Sequence, residues 1–220
     1  MRAKRLLIGA TGIVATTVGL VGVLHMPFAR NLLMDIGGCP VGHASLAELE
    51  PAIKAAQQAQ RGTDAAPARP ALGFTLDKTT RADAVAWAER AHVSCKDQRE
   101  GLFFCYDVPA AAVGLDEADG PVSEVHFGFN TKGVLFDLAT MRMNSSAKPA
   151  TDIASHLATQ LSAPPQKING SFDEAKLSKA GPMTISTLSY HYKDYIAELT
   201  AMRLNEPGLV VREHYVSVTD

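Results

Sequence analysis

Cys39-Pro40-Val41-Gly42-His43 packs the most potential chemistry into the fewest residues of this chain. A thiolate and an imidazole four positions apart can share one metal ion. His25 and Met26 lie upstream, and soft sulfur beside imidazole would suit copper. Zinc sites usually carry two such pairs, and covalent haem attachment needs Cys-x-x-Cys-His; neither pattern is present. Cys39 and His43 therefore mark a metal or redox carrier as one alternative. The other is a Gly-Pro turn holding a small buried cysteine.

The chain has three cysteines, and the remaining two, Cys95 and Cys105, flank Lys96-Asp97-Gln98-Arg99-Glu100-Gly101. That segment reads as a turn between two strands. In an exported compartment such a pair is expected to form a disulfide. Closing so short a loop contributes roughly 2–3 kcal/mol in the chain-entropy model. Two buried thiols in contact, or a metal pair helped by His92, are the alternatives. Cys39 is then the odd cysteine, free, bound to a partner or lipidated.

A third cluster is Tyr190, His191, Tyr192, His214 and Tyr215. Tyrosine and histidine together offer acid–base capacity, but tyrosine is also favoured in strands for packing reasons alone. Alternation places Tyr190 and Tyr192 on one side of a strand and His191 on the other. Tyr190, Tyr192, His214 and Tyr215 form the candidate contact face. Met141 and Met143 share a strand face, where sheet packing is a better reading than copper. Asp116, Glu117 and Asp119 lack the regular oxygen spacing of a calcium loop and read as a solvated turn. No nucleophile elbow, His-Glu-x-x-His, phosphate loop or dinucleotide fingerprint occurs. The expectation is a protein that is not an enzyme and needs no cofactor.

The elements that must carry these residues begin with Leu6–Leu24, an uncharged apolar run preceded by Arg2, Lys4 and Arg5. A helix needs about 20 such residues to cross a bilayer. Basic residues before the run predict a cytoplasmic N-terminus, and a periplasmic fate for everything beyond about residue 30. Residues 1–30 read as a transmembrane signal anchor in the inner membrane. A cleaved signal peptide would have a shorter apolar core. Ile36-Gly37-Gly38-Cys39 has the look of a lipobox, but Arg30 and Asp35 separate it from the run. Gly12, Ala15 and Gly19 supply small residues on which a second helix could pack. The bilayer is thus the first expected partner, and other subunits of a membrane complex are the second.

A net charge of −2, with no Lys/Arg cluster outside the N-terminus, argues against nucleic acid. Apolar residues at 46% and charged ones at 20% describe an ordinary packed domain. Residues 31–71 read as a loop, a short helix and an Ala/Pro linker. Ser45-Leu46-Ala47-Glu48 has capping-box spacing, although Pro51 suggests a helix start at Glu50. Residues 72–220 read as one α+β domain. In it, Thr80 opens a helix to about Ala91, and strands follow to Met143. A second helix covers Pro149–Ser162, residues 164–182 are irregular, and strands run over Met183–Tyr192, Tyr195–Leu204 and Leu209–Val218. The pattern is a helix plus three strands, twice, with halves at about 72–147 and 148–220, an antiparallel sheet with helices on one face.

Leu72-Gly73-Phe74-Thr75 followed by Thr79-Thr80-Arg81-Ala82-Asp83-Ala84-Val85 resembles the opening of SmpA/OmlA-like units, where a turn leads into the first helix. The tandem arrangement is similar to β-lactamase-inhibitor-protein-like exported domains. The resemblance covers about residues 72–143 and, more weakly, 149–218. It implies a binding module without catalytic residues, and fold alone assigns no finer function. The leading expectation is a membrane-anchored periplasmic binding or scaffold protein, an accessory subunit of a bacterial membrane complex. A free-standing exported inhibitor or ligand-binding domain is the other class, besides the metal carrier.

Overall fold

Thr80 starts the first packed helix of the domain by a reciprocal cap. Its hydroxyl accepts from the Asp83 backbone N–H at 3.2 Å, and the Asp83 carboxylate accepts from the Thr80 N–H at 2.8 Å. Two of the orphan donors of the first turn are satisfied this way. The computed structural model in which this is seen describes residues 45–115, 121–144, 148–204 and 208–219. The apolar Leu6–Leu24 run with Gly12, Ala15 and Gly19, the Cys39–His43 string and the Asp116–Asp119 stretch lie outside those residues. Among the described residues no helix is long and apolar enough to cross a membrane.

Four α-helices are described: α1 (Leu46–Gln58), α2 (Arg81–Arg90), α3 (Lys148–Gln160) and α4 (Glu174–Lys179). Eight strands accompany them: β1 (Ser94–Arg99), β2 (Leu102–Val108), β3 (Val122–Phe129), β4 (Leu135–Asn144), β5 (Lys167–Asn169), β6 (Ile185–His191), β7 (Tyr195–Arg203) and β8 (Leu209–Ser217). They form a single antiparallel sheet in the order β1-β2-β3-β4-β8-β7-β6-β5. Each half is a four-stranded meander preceded by a helix. The last strands of the halves, β4 and β8, pair at the centre, from Asp137 opposite Val216 to Asn144 opposite Leu209.

Three expectations are corrected here. Each half holds four strands, not three. The stretch 164–182 is not all irregular, since it contains β5 and α4. β5 is a three-residue edge strand, and nothing in Lys167-Ile168-Asn169 alternates for long enough to announce it. Finally, α1 begins at Leu46 rather than Glu50, and Pro51 sits inside it. A proline there forgoes one backbone hydrogen bond, and α1 is held instead by contacts from outside itself. The Glu100 carboxylate accepts from the Leu46 N–H, and the Glu50 carboxylate accepts from the Thr131 N–H.

The pleat sorts the sheet into two faces. Phe103, Cys105, Val125, Phe127, Leu138, Leu188, Leu199, Val211 and Tyr215 point to one side. Ala84 and Ala88 of α2, and Ile153 and Leu157 of α3, are buried on that same side. Trp87 packs here with Phe74 at 5.1 Å and Phe127 at 5.5 Å between ring centroids, and its indole N–H donates to the Ala112 carbonyl. A fully buried ion pair also lies on this side. Arg142 donates to Glu213, whose carboxylate accepts further bonds from the hydroxyls of Thr140 and Tyr215.

Residues Arg61–Pro70, read as a linker, are tied to the β6–β7 turn. The Gly62 N–H donates to the Tyr192 carbonyl, the Lys193 N–H donates to the Asp64 carbonyl, and the Asp194 carboxylate accepts from the Ala66 N–H. A Cβ on Gly62 would stand 1.9 Å from the His191 carbonyl oxygen, so this approach requires glycine.

Candidate contact face

The sheet face away from α2 and α3 is built by simple alternation. One row of residues crosses all eight strands in register: Lys96, Phe104, His126, Ala139, His214, Glu198, Ser189 and Lys167. Neighbouring strands lie about 4.8 Å apart, so these side chains are within reach of one another along the row. Phe104 lies flat on His126, with ring centroids 3.8 Å apart and planes 4° from parallel. His126 contacts the Glu124 carboxylate at 2.7 Å.

His214 sits at the middle of the row, on the central strand β8. Its Nε2 contacts an Asp137 carboxylate oxygen at 2.9 Å, and its Nδ1 lies 3.8 Å from Glu198. Burial alone would push the imidazolium down. The hydrogen bond to Asp137, the nearby Glu198 carboxylate and the charge of Asp137 outweigh burial and raise the pKa to about 9, against opposition from Arg212. Glu198 is correspondingly held below the usual carboxylate range, first by its contact with His214. His214 thus bridges two strands, and the two carboxylates stand on different ring nitrogens.

Toward one end of the same face the row becomes apolar. Met143, Val210, Met202 and Ile185 stand side by side across β4, β8, β7 and β6. Met143 is 49% exposed and Ile185 47%, and Met183 beside them is 70% exposed. The solvated face of an antiparallel sheet is ordinarily polar. A cluster of exposed methionine and isoleucine on it is the composition of a contact surface.

The residues singled out in the sequence are distributed differently. Tyr190, Tyr192 and Tyr215 do not form a contact face: all three are buried on the helix-covered side, and only His214 faces outward. The alternation places Tyr190 and Tyr192 together, but period two does not say which side the helices cover. Tyr215 donates its hydroxyl to Glu213, while the Tyr190 hydroxyl finds no hydrogen-bond partner among the described residues. Burial, then the Glu213 charge, keeps the Tyr215 hydroxyl protonated at all ordinary pH. Cys95 and Cys105 face each other directly across β1 and β2 and form a disulfide. His92 takes no part in a metal pair with them. Among the described residues no group of three or more His, Cys, Asp or Glu side chains is placed to hold a metal ion.

Sequence reading missed the apolar band altogether. Met143 and Ile185 are over forty positions apart, and only the β4-β8-β7-β6 order makes them neighbours. No protein-family model, curated protein or solved structure matches the chain.

Proposed function

We propose that this chain is an exported, membrane-held binding or scaffold domain that docks a partner protein on the open face of its sheet. It acts without catalysis, as an accessory subunit of a membrane complex. The observation that carries this reading is the apolar band Met143, Val210, Met202 and Ile185, exposed at Met143 and Ile185 and bordered by the polar field around His214. Apolar centres with polar margins are how protein interfaces are organised. The Cys95–Cys105 disulfide agrees with an oxidising compartment. The Leu6–Leu24 run with its basic flank supplies the reason to expect retention at the inner membrane, with the soluble domain periplasmic. The likeness to inhibitor-like and SmpA/OmlA-like domains points to the same class of work.

Purification in mild detergent, followed by intact mass measurement, tests this. The expected result is an uncleaved chain, lighter by two hydrogens for the disulfide, migrating with a defined membrane-protein partner. A cleaved chain migrating alone would contradict the reading.

A further inference from the structure

On the helix-covered side the two halves of the fold leave a cavity of about 660 Å³. It lies above the β4–β8 seam, between α3 and the segments Arg69–Phe74 and Val113–Leu115. Its volume falls within the range of small-molecule sites. Leu72, Phe74, Leu115, Ile153 and Leu157 supply the apolar part of its walls, and Arg69, Asp152, His156 and Gln160 line it as well. Its floor is polar and buried, formed by Glu213 and Tyr215. One wall carries backbone in an uncommon conformation for a branched side chain: Leu72 has φ of 51°, next to Gly73 at 79°. Such conformations persist only where the surroundings enforce them, and they gather at ligand sites.

The hydrogen-bond inventory of the floor decides what could sit on it. Tyr215 gives its one hydroxyl proton to Glu213 Oε2, and Arg142 and Thr140 donate to Oε1. Tyr215 Oη and Glu213 Oε2 therefore retain lone pairs and no proton to offer. Both floor atoms are acceptors. The floor suits a ligand that ends in a donor, and offers a carboxylate no hydrogen bond. From this geometry we infer that the cavity binds a small molecule with an apolar ring or chain and an amino or hydroxyl head, the head directed at Glu213 and Tyr215. The site is on the opposite side of the sheet from the proposed docking face.

Three probes of one size separate head-group chemistry from mere hydrophobic filling: 2-phenylethylamine, 2-phenylethanol and phenylacetate. Binding to the full-length protein is read by ligand-observed NMR, and by the fluorescence of Trp87, which packs on the wall residue Phe74. The amine and the alcohol are expected to bind at millimolar concentration, at least tenfold more tightly than phenylacetate. His156→Phe projects a larger apolar side chain from an exposed position of α3 at the cavity rim, and should weaken both by tenfold or more without loss of folding. Glu213→Gln should erase the preference for the amine over phenylacetate. If that variant does not fold, the three-probe ranking and His156→Phe carry the decision. Equal binding of phenylacetate and the amine, unchanged binding in His156→Phe, or no binding of any probe would overturn the inference.

Discussion

Replacing His214 with glutamine should make the stability of the domain less sensitive to alkaline pH. In the folded protein the imidazolium bridges Asp137 on β4 and Glu198 on β7, with a pKa raised from 6.5 to about 9. A raised folded-state pKa means that the protonated form is bound more tightly in the native than in the unfolded chain. The stabilisation is therefore complete below about pH 6.5 and lost as pH rises through about 9. At about 1.4 kcal/mol per pH unit the ceiling is about 3 kcal/mol. The Asp137 and Glu198 side chains are 29% and 38% exposed, and screening by that solvent brings the expected value nearer 1–2 kcal/mol. The assay is urea unfolding of the native protein and His214→Gln at intervals from pH 6 to pH 10. Titrations common to both proteins cancel in the difference. The native protein should exceed the variant by 1–2 kcal/mol near pH 6, and the gap should close by pH 10. A gap that stays constant, or widens with pH, would refute the bridging role.

Other perturbations follow from the core and the caps. The disulfide closes a loop of sequence separation 10, so Cys95→Ala with Cys105→Ala should lower unfolding free energy by roughly 3 kcal/mol in denaturant titrations. Arg142→Met alone leaves Glu213 buried without its cation and should cost about 3–5 kcal/mol, whereas Arg142→Met with Glu213→Leu should recover most of that loss in the same assay. Thr80→Ala removes the reciprocal cap of α2 and should cost about 1 kcal/mol, read as a lowered thermal midpoint. Gly62→Ala should free residues 61–66 from the β6–β7 turn, seen as faster amide exchange at Lys193 and Ala66.

Local signals in the chain carried over well into the fold. Thr80 and Asp83 announce a helix start, and Asn130-Thr131-Lys132-Gly133 announces a turn. In that turn the Asn130 side chain accepts from the N–H groups of Lys132 and Val134 at 3.0 Å, and Gly133 supplies the positive φ of 71°. Period-two alternation at Val125, Phe127 and Phe129 gave a half-buried strand correctly. Cys95 and Cys105 were legible because their partner residues are separated only by one hairpin. What could not be read was long-range. Pairing of β4 with β8 joins residues far apart in the chain, from Asp137 with Val216 to Asn144 with Leu209, and it creates the Arg142–Glu213 pair and the His214–Asp137 contact. The side taken by α2 and α3 likewise decides that Tyr190, Tyr192 and Tyr215 are core while His214 faces out. Nothing in the strand sequences distinguishes those two outcomes until the helices are placed.

Site-specific photocrosslinking in native membranes addresses the docking face most directly. A photoreactive amino acid is placed at Met143, Met202 or Ile185 on the open face, and at His156 or Lys179 on the helix-bearing side. One discrete protein adduct is expected, the same from all three open-face positions and absent from the two helix positions. Equal adducts from both sides, or none from Met143, Met202 and Ile185, would contradict docking on the open face.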